Sequence, residues 1–147
     1  MNKYRKGVFF VVYNISKSKP IYLIQKRKLH WKGWEFPKGG VNFLESYKKA
    51  IKRELKEETG LSPIKITKFK EKGKYQYSKE LRDRKDYVGQ TYILYAVEVK
   101  KGKLQLDKRE HYSAKWLEFN KALKTLTHSN QRKCLRIVNN FLKHGKV

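Results

Sequence analysis

The sequence predicts an α/β fold, and three observations carry that prediction. Residues 7–13 (GVFFVVY) and 90–99 (QTYILYAVEV) are near-continuous runs of apolar, β-branched and aromatic side chains, as strands covered on both faces require. Residues 46–59 and 130–142 instead place their apolar side chains at helical spacing. The chain's 147 residues suit one domain over 1–147, long enough to bury a sizeable core and too short for a second domain of ordinary size.

Residues 14–20 are polar, with Ser, Lys and Pro, and residues 21–25 resume the strand pattern, which predicts a hairpin. Residues 29–38 form an aromatic and basic approach to the first helix, a loop under which Trp31 and Trp34 are expected to pack. After that helix, Pro63 blocks helical continuation, residues 64–69 alternate as a half-exposed strand does, and 73–77 continue the sheet. Residues 78–89 are charged and lack apolar periodicity, so a mobile loop near the substrate side is expected. Residues 90–99 are the strand richest in β-formers, which predicts a central position. A turn at 100–103 leads to residues 104–106 and 110–117. Asn120 is expected to cap a short helix through Leu123, and Leu135, Val138, Phe141 and Leu142 form the apolar stripe of the last one. Both helices should cover the sheet.

Lys and Arg number 37 against 13 Asp and Glu, a net charge of +24 spread from end to end. Such a field favours polyanions, so RNA, dinucleoside polyphosphates and inositol pyrophosphates all fit as partners; general solubility explains the lysines as well. Cys134 is the single cysteine, which excludes an internal disulfide, and with four histidines it gives no zinc pattern, so it reads as a packing residue. No apolar run approaches the roughly 18 residues that span a bilayer. A soluble, cytoplasmic protein is expected, with no membrane association and no obligate protein partner evident.

The chemistry concentrates in residues 39–61, GGVNFLESYKKAIKRELKEETGL. At helical spacing Glu54, Glu57 and Glu58 share one face with Tyr47, Ala50, Ile51 and Leu55, while Lys48, Lys49, Lys52 and Lys56 fall opposite. The three carboxylates are therefore expected to point inward, where like charges need a counter-ion. A hard divalent cation such as Mg²⁺, which takes oxygen ligands from carboxylates and substrate phosphates, would supply it. The competing reading is an amphipathic helix whose glutamates pair with its lysines.

The spacing of this stretch resembles the Nudix box. Gly39, five residues, Glu45, seven residues, Arg53-Glu54-Leu55, one residue, Glu57-Glu58, one residue and Gly60-Leu61 agree with G-x5-E-x7-R-E-U-x-E-E-x-G-U at every fixed position. The resemblance implies a Nudix-type α/β/α sandwich with a mixed central sheet. It also implies a pyrophosphohydrolase that uses Mg²⁺, or Mn²⁺, to cleave a phosphoanhydride in a nucleoside diphosphate linked to another moiety. By position it makes Glu57 and Glu58 metal ligands, Glu54 a ligand or the base that activates water, Arg53 its orienting partner and Glu45 the group that holds Arg53. Gly39 and Gly40 would let the backbone approach metal or phosphate, and Gly60 suits a helix C-cap.

Outside the box, Trp34-Glu35-Phe36-Pro37-Lys38-Gly39 resembles the approach to the box in the dinucleoside tetraphosphate hydrolase and diphosphoinositol-phosphate branches, which implies that Lys38 sits beside the phosphates rather than being one more solvated lysine. Glu110-His111 with Trp116 downstream resembles the tetraphosphate hydrolases again, making Glu110 the candidate further metal ligand; otherwise it is a loop carboxylate balancing Lys108 and Arg109. One departure stands out. Relatives commonly carry glycine just before the first glutamate of the box, and this chain has Leu44, so a different loop shape around Glu45 is expected. The leading functional expectation is a dinucleoside polyphosphate hydrolase in which Tyr77 or Tyr92 stacks an adenine, unless those tyrosines only fill a strand. The alternatives are an RNA 5′-end pyrophosphohydrolase and a basic Nudix-fold nucleic-acid-binding protein.

Overall fold

The runs read as strands assemble into one mixed sheet. In a computed structural model, which describes residues 3–30, 32–79, 81–106 and 111–145 with the Tyr112 side chain set aside, eight strands and three α-helices follow in chain order. They are β1 (Tyr4–Arg5), β2 (Gly7–Ser16), β3 (Lys19–Arg27), β4 (Gly33–Glu35), β5 (Lys38–Gly40), α1 (Tyr47–Thr59), β6 (Pro63–Gln76), β7 (Gly89–Val99), β8 (His111–Glu118), α2 (Phe119–Thr125) and α3 (Ser129–His144). Glu110 and Trp31 lie outside the described residues.

β2 holds the centre. It pairs in parallel with β7, from Phe9↔Leu94 to Tyr13↔Glu98, and antiparallel with β3 through one half and β5 through the other. Its alternating side chains feed two cores. Phe9, Val11 and Tyr13 join Leu135, Val138 and Ala122 of α3 and α2, whereas Val8, Phe10 and Val12 join Ile51 and Leu55 of α1. A strand with helices on both sides must be apolar at every position, which is why residues 7–13 show no alternation. The result is the expected α/β/α sandwich, with β7 inside the sheet between β2 and β6.

Several local expectations change. β6 is one strand of 14 residues whose register with β7 shifts between Lys68 and Lys72, so the two segments read from the sequence are continuous. The segment read as a loop makes contacts of its own: Leu81 is buried, a 3-10 turn spans Arg82–Arg84, and Asp83 Oδ1 lies 2.9 Å from His30 Nε2. Glu118, not Asn120, occupies the N-cap of α2, without a side-chain cap bond. Trp34 packs against the α3-side core, and Cys134 is fully buried, which pushes its thiol up to about 12. No helix among the described residues is long and apolar enough to cross a membrane.

Candidate active site

The pairing of β5 with the start of β2, Gly7↔Gly40 to Phe9↔Lys38, brings the glycine loop against the sheet, and α1 follows directly. Ser46 caps α1 by accepting the Lys49 amide at 3.2 Å, and Gly60 closes it at φ 76° while donating its amide to the Lys56 carbonyl at 2.9 Å.

Arg53 is the hub. Its Nε and Nη2 donate to the two oxygens of Glu45, each at 2.8 Å, Nη1 donates to Glu54 Oε1 at 2.7 Å, and Nη2 also donates to the Gly40 carbonyl at 2.9 Å. Glu57 Oε2 lies 3.5 Å from the same Nη1. The fork of a guanidinium suits such paired carboxylates, and lysine could not reproduce it. Hydrogen bonds from Arg53 and the Asn42 amide hold the Glu45 carboxyl down at about 2, and the Glu45 bond raises the Arg53 pKa above its ordinary value.

The expectation that three carboxylates point inward together is corrected. Glu58 is 2% exposed, whereas the Glu57 side chain is 57% exposed and that of Glu54 14%. At about 100° per residue, Glu58 falls within the arc of Ala50, Ile51 and Leu55, and Glu57 falls beyond its edge. Among the described residues no three acidic, His or Cys side chains stand ready-clustered for a metal.

At Gly39 and Gly40 the missing side chain matters for space rather than for dihedral freedom. A Cβ on Gly39 would collide with the Glu54 carboxyl group, and one on Gly40 with the Arg5 guanidinium. Leu44, by contrast, does adopt a left-handed conformation at φ 63°, with its side chain 88% exposed. Across this turn the Glu45 amide donates to the Asn42 carbonyl at 3.0 Å. Because a β-carbon costs about 1–2 kcal/mol there and glycine loses about 0.5–1 kcal/mol of that through unfolded-state entropy, Leu44→Gly should stabilise the protein by roughly 0.5–1 kcal/mol. A rise of about 2 °C in Tm is expected; a fall would mean that Leu44 makes a stabilising contact.

Beside Glu54, side chains from distant segments converge on one cleft: Arg5, Arg27, Lys38 and Arg84, with Gln90. Burial, then repulsion from Arg84, depresses the Arg5 pKa. Lys38 is held from below by Glu35, which is 1% exposed and lies 3.5 Å from Lys38 Nζ, 3.1 Å from Arg27 Nη1 and 3.1 Å from His111 Nε2. Burial alone would raise the Glu35 pKa, but Lys38, the His111 bond and Arg27 outweigh it and hold the carboxyl far below its usual range.

Lys38 also lines a second space, a cavity of about 230 Å³ walled by Phe9, Tyr75, Tyr77 and His128. Its Nζ lies 5.0 Å from the Tyr75 ring centroid. Tyr77 is thus placed where a base could meet it. Tyr92 does not reach the cavity: it is 6% exposed, stacks on Phe9 with centroids 4.1 Å apart and donates to Glu71 Oε2 at 3.1 Å. Tyr75 takes its place, and the alternation of β6 was the signal for it, since residues 75 and 77 share a face. Arg5, Arg27, Glu35 and Arg84 carried no local signal among so many charges.

The donors around Glu54 suit a hard divalent cation, because Glu54, Glu57, Glu58 and the Gly39 carbonyl offer only oxygen, and the absent side chain of Gly39 keeps the Glu54 carboxyl accessible.

Known proteins resemble this chain over most of its length. Residues 3–137 match the family model described as NUDIX domain. An RNA pyrophosphohydrolase of Nitratiruptor sp. is 35% identical over 112 residues, covering 74% of this chain and 72% of that protein. One of Campylobacter jejuni is 36% identical over 104 residues, covering 67% of this chain and 65% of its own. Among solved structures, the Ap4A hydrolase of C. elegans in a binary complex superposes with a TM-score of 0.75 at 24% identity, over 95% of this chain and 98% of that one. That likeness is one of fold.

Proposed function

The chain belongs to the NUDIX hydrolase family, and from that premise we propose that it cleaves a phosphoanhydride in a polyphosphate chain carried by a nucleoside, with a 5′-triphosphorylated RNA end as the substrate. The observation that carries the reading is the position of Lys38, which lines both the cationic cleft at Glu54 and the aromatic cavity. A terminal nucleobase in the cavity puts its phosphates across Lys38 and into the cleft. The RNA end stands first because the +24 charge suits a long polyanion and the relatives matched over two thirds of this chain carry that activity in their names. A dinucleoside polyphosphate is the second reading, favoured by the same cavity, which would take one adenosine.

Glu54, Glu57, Glu58 and the Gly39 carbonyl would hold Mg²⁺ or Mn²⁺, which when bound neutralises phosphate oxygens and lowers the pKa of water. Arg53, anchored by Glu45, orients Glu54 as a carboxylate, a form able to accept a proton. Arg5, Arg27, Lys38 and Arg84 bind phosphate oxygens, and Tyr75 and Tyr77 wall the base. We place residues 1–147 in one domain, since one chain supplies every group named.

The test is turnover of 5′-triphosphorylated RNA and of a dinucleoside tetraphosphate with Mg²⁺, products resolved. A higher kcat/KM for RNA is expected, and preference for the dinucleotide would reverse the order of the readings. Absence of Mg²⁺-dependent turnover on either would leave a binding protein. Raising salt from 0.1 M shortens the Debye length below about 10 Å, so kcat/KM should fall while kcat stays nearly constant. The slope should be steeper for RNA, which releases more counter-ions; equal slopes would exclude an extended basic track.

A further inference from the structure

The outer side of α1 carries features that the cleft does not use. Lys48, Lys49, Lys52 and Lys56 are all exposed, and at about 100° per residue they fall within about 100° of arc. That arc is continued on one side by Arg53 and then Glu57, so the lysine face borders the catalytic face directly. At the start of the same helix, the turn 42–45 holds Phe43 92% exposed and Leu44 88% exposed. The turn is not slack. Asn42 donates its amide to Glu45 Oε1 at 3.0 Å, Glu45 is gripped by Arg53, and Leu44 is held at φ 63°. An aromatic ring is thus presented to water by the unit that positions Arg53.

We propose that this face is a track for single-stranded RNA, in which Phe43 stacks a base of the strand running on from the 5′ end and the α1 lysines follow its phosphates. It deepens the RNA reading and rests on it. The occupant is argued from charge and chemistry: a lysine row attracts a polyanion, and a fixed exposed ring beside it offers the stacking surface that single strands use without sequence preference. From Ser46 to Arg53 the helix rises about 10 Å, a span of two or three nucleotides, so a strand whose first phosphates lie at Glu54 can reach the turn.

The test uses the full chain and two 5′-triphosphorylated substrates, a single strand of about 16 nucleotides and a dinucleotide. Phe43→Ala should lower kcat/KM for the long strand by about tenfold and leave the dinucleotide unchanged. Lys48→Gln, Lys49→Gln and Lys52→Gln together should make the slope of log kcat/KM against log salt for the long strand shallower, by about 0.7 for each phosphate that a lysine no longer neutralises. Equal losses on both substrates, or no loss on the long one, would overturn the track. Fluorescence anisotropy with a 5′-hydroxyl strand of the same length separates this proposal from the reading beneath it. If the parent fails to hydrolyse RNA yet binds that strand in a Phe43-dependent way, the substrate reading falls and the track stands. If the parent hydrolyses RNA but Phe43→Ala binds the strand as tightly, the track falls alone. A Phe43-dependent dimer in sedimentation without any change in RNA binding would assign the ring to a second copy and also overturn it.

Discussion

Glu58→Gln and Glu57→Gln should each lower kcat by about a thousandfold or more, a rise of about 4 kcal/mol in the barrier. Glutamine keeps the shape of the side chain and removes the charge that a divalent cation needs, so the loss belongs to metal binding rather than to packing. The two positions separate chemistry from folding, because Glu58 is 2% exposed and the Glu57 side chain is 57% exposed. Glutamine fills the volume of the buried Glu58 side chain, so metal-free Glu58→Gln should melt close to the metal-free parent. Glu57→Gln, at the surface, should leave Tm within a degree or so. Titration with Mn²⁺ should show weakened binding in both. A clear loss of Tm in Glu58→Gln, or full turnover in either variant, would make these residues structural.

Glu35→Ala is expected to produce the largest loss of stability, about 3–5 kcal/mol, because it strands Arg27 and Lys38 beside a buried site without their shared counter-charge. For a chain of this size that corresponds to a fall of roughly 10 °C in Tm. The pH dependence gives the sign. The folded state holds the Glu35 carboxyl below its ordinary value, so its contribution is full above the usual carboxylate range and is lost as pH falls through and below it. Parent and variant should therefore differ most near neutrality and converge in acid; a gap that stayed constant from pH 7 to pH 3 would show that lost packing, not charge, destabilises the variant. Since Glu35 also steadies Lys38 and Arg27 in the cleft, kcat/KM should fall with it.

The parts whose geometry is local were legible in the residues alone. Helical spacing placed Glu54, Glu57 and Glu58 near one another, Ser46 and Gly60 bounded α1, and unbroken apolar runs marked β2 and β7 as strands covered on both faces. The box spacing identified Arg53 and Glu45 because eight residues of loop and helix suffice to bring them together. What lay beyond it depended on contacts between distant segments. Arg5, Arg27 and Arg84 meet at Glu54 because β1 pairs with β7, β3 with β4 and the 78–89 loop folds back on His30, and no periodicity within any one segment encodes that meeting. Tyr92 and Tyr75 look alike in sequence, but they lie on neighbouring strands, and packing beneath Phe9 buries one while the other lines the cavity. Leu44 is held in a left-handed backbone by a turn that the Asn42 and Arg53 bonds to Glu45 close, which no local pattern in the sequence announces. Glu57 faces water because the helix turns its side away from the packed sheet, and burial is decided by what an element packs against.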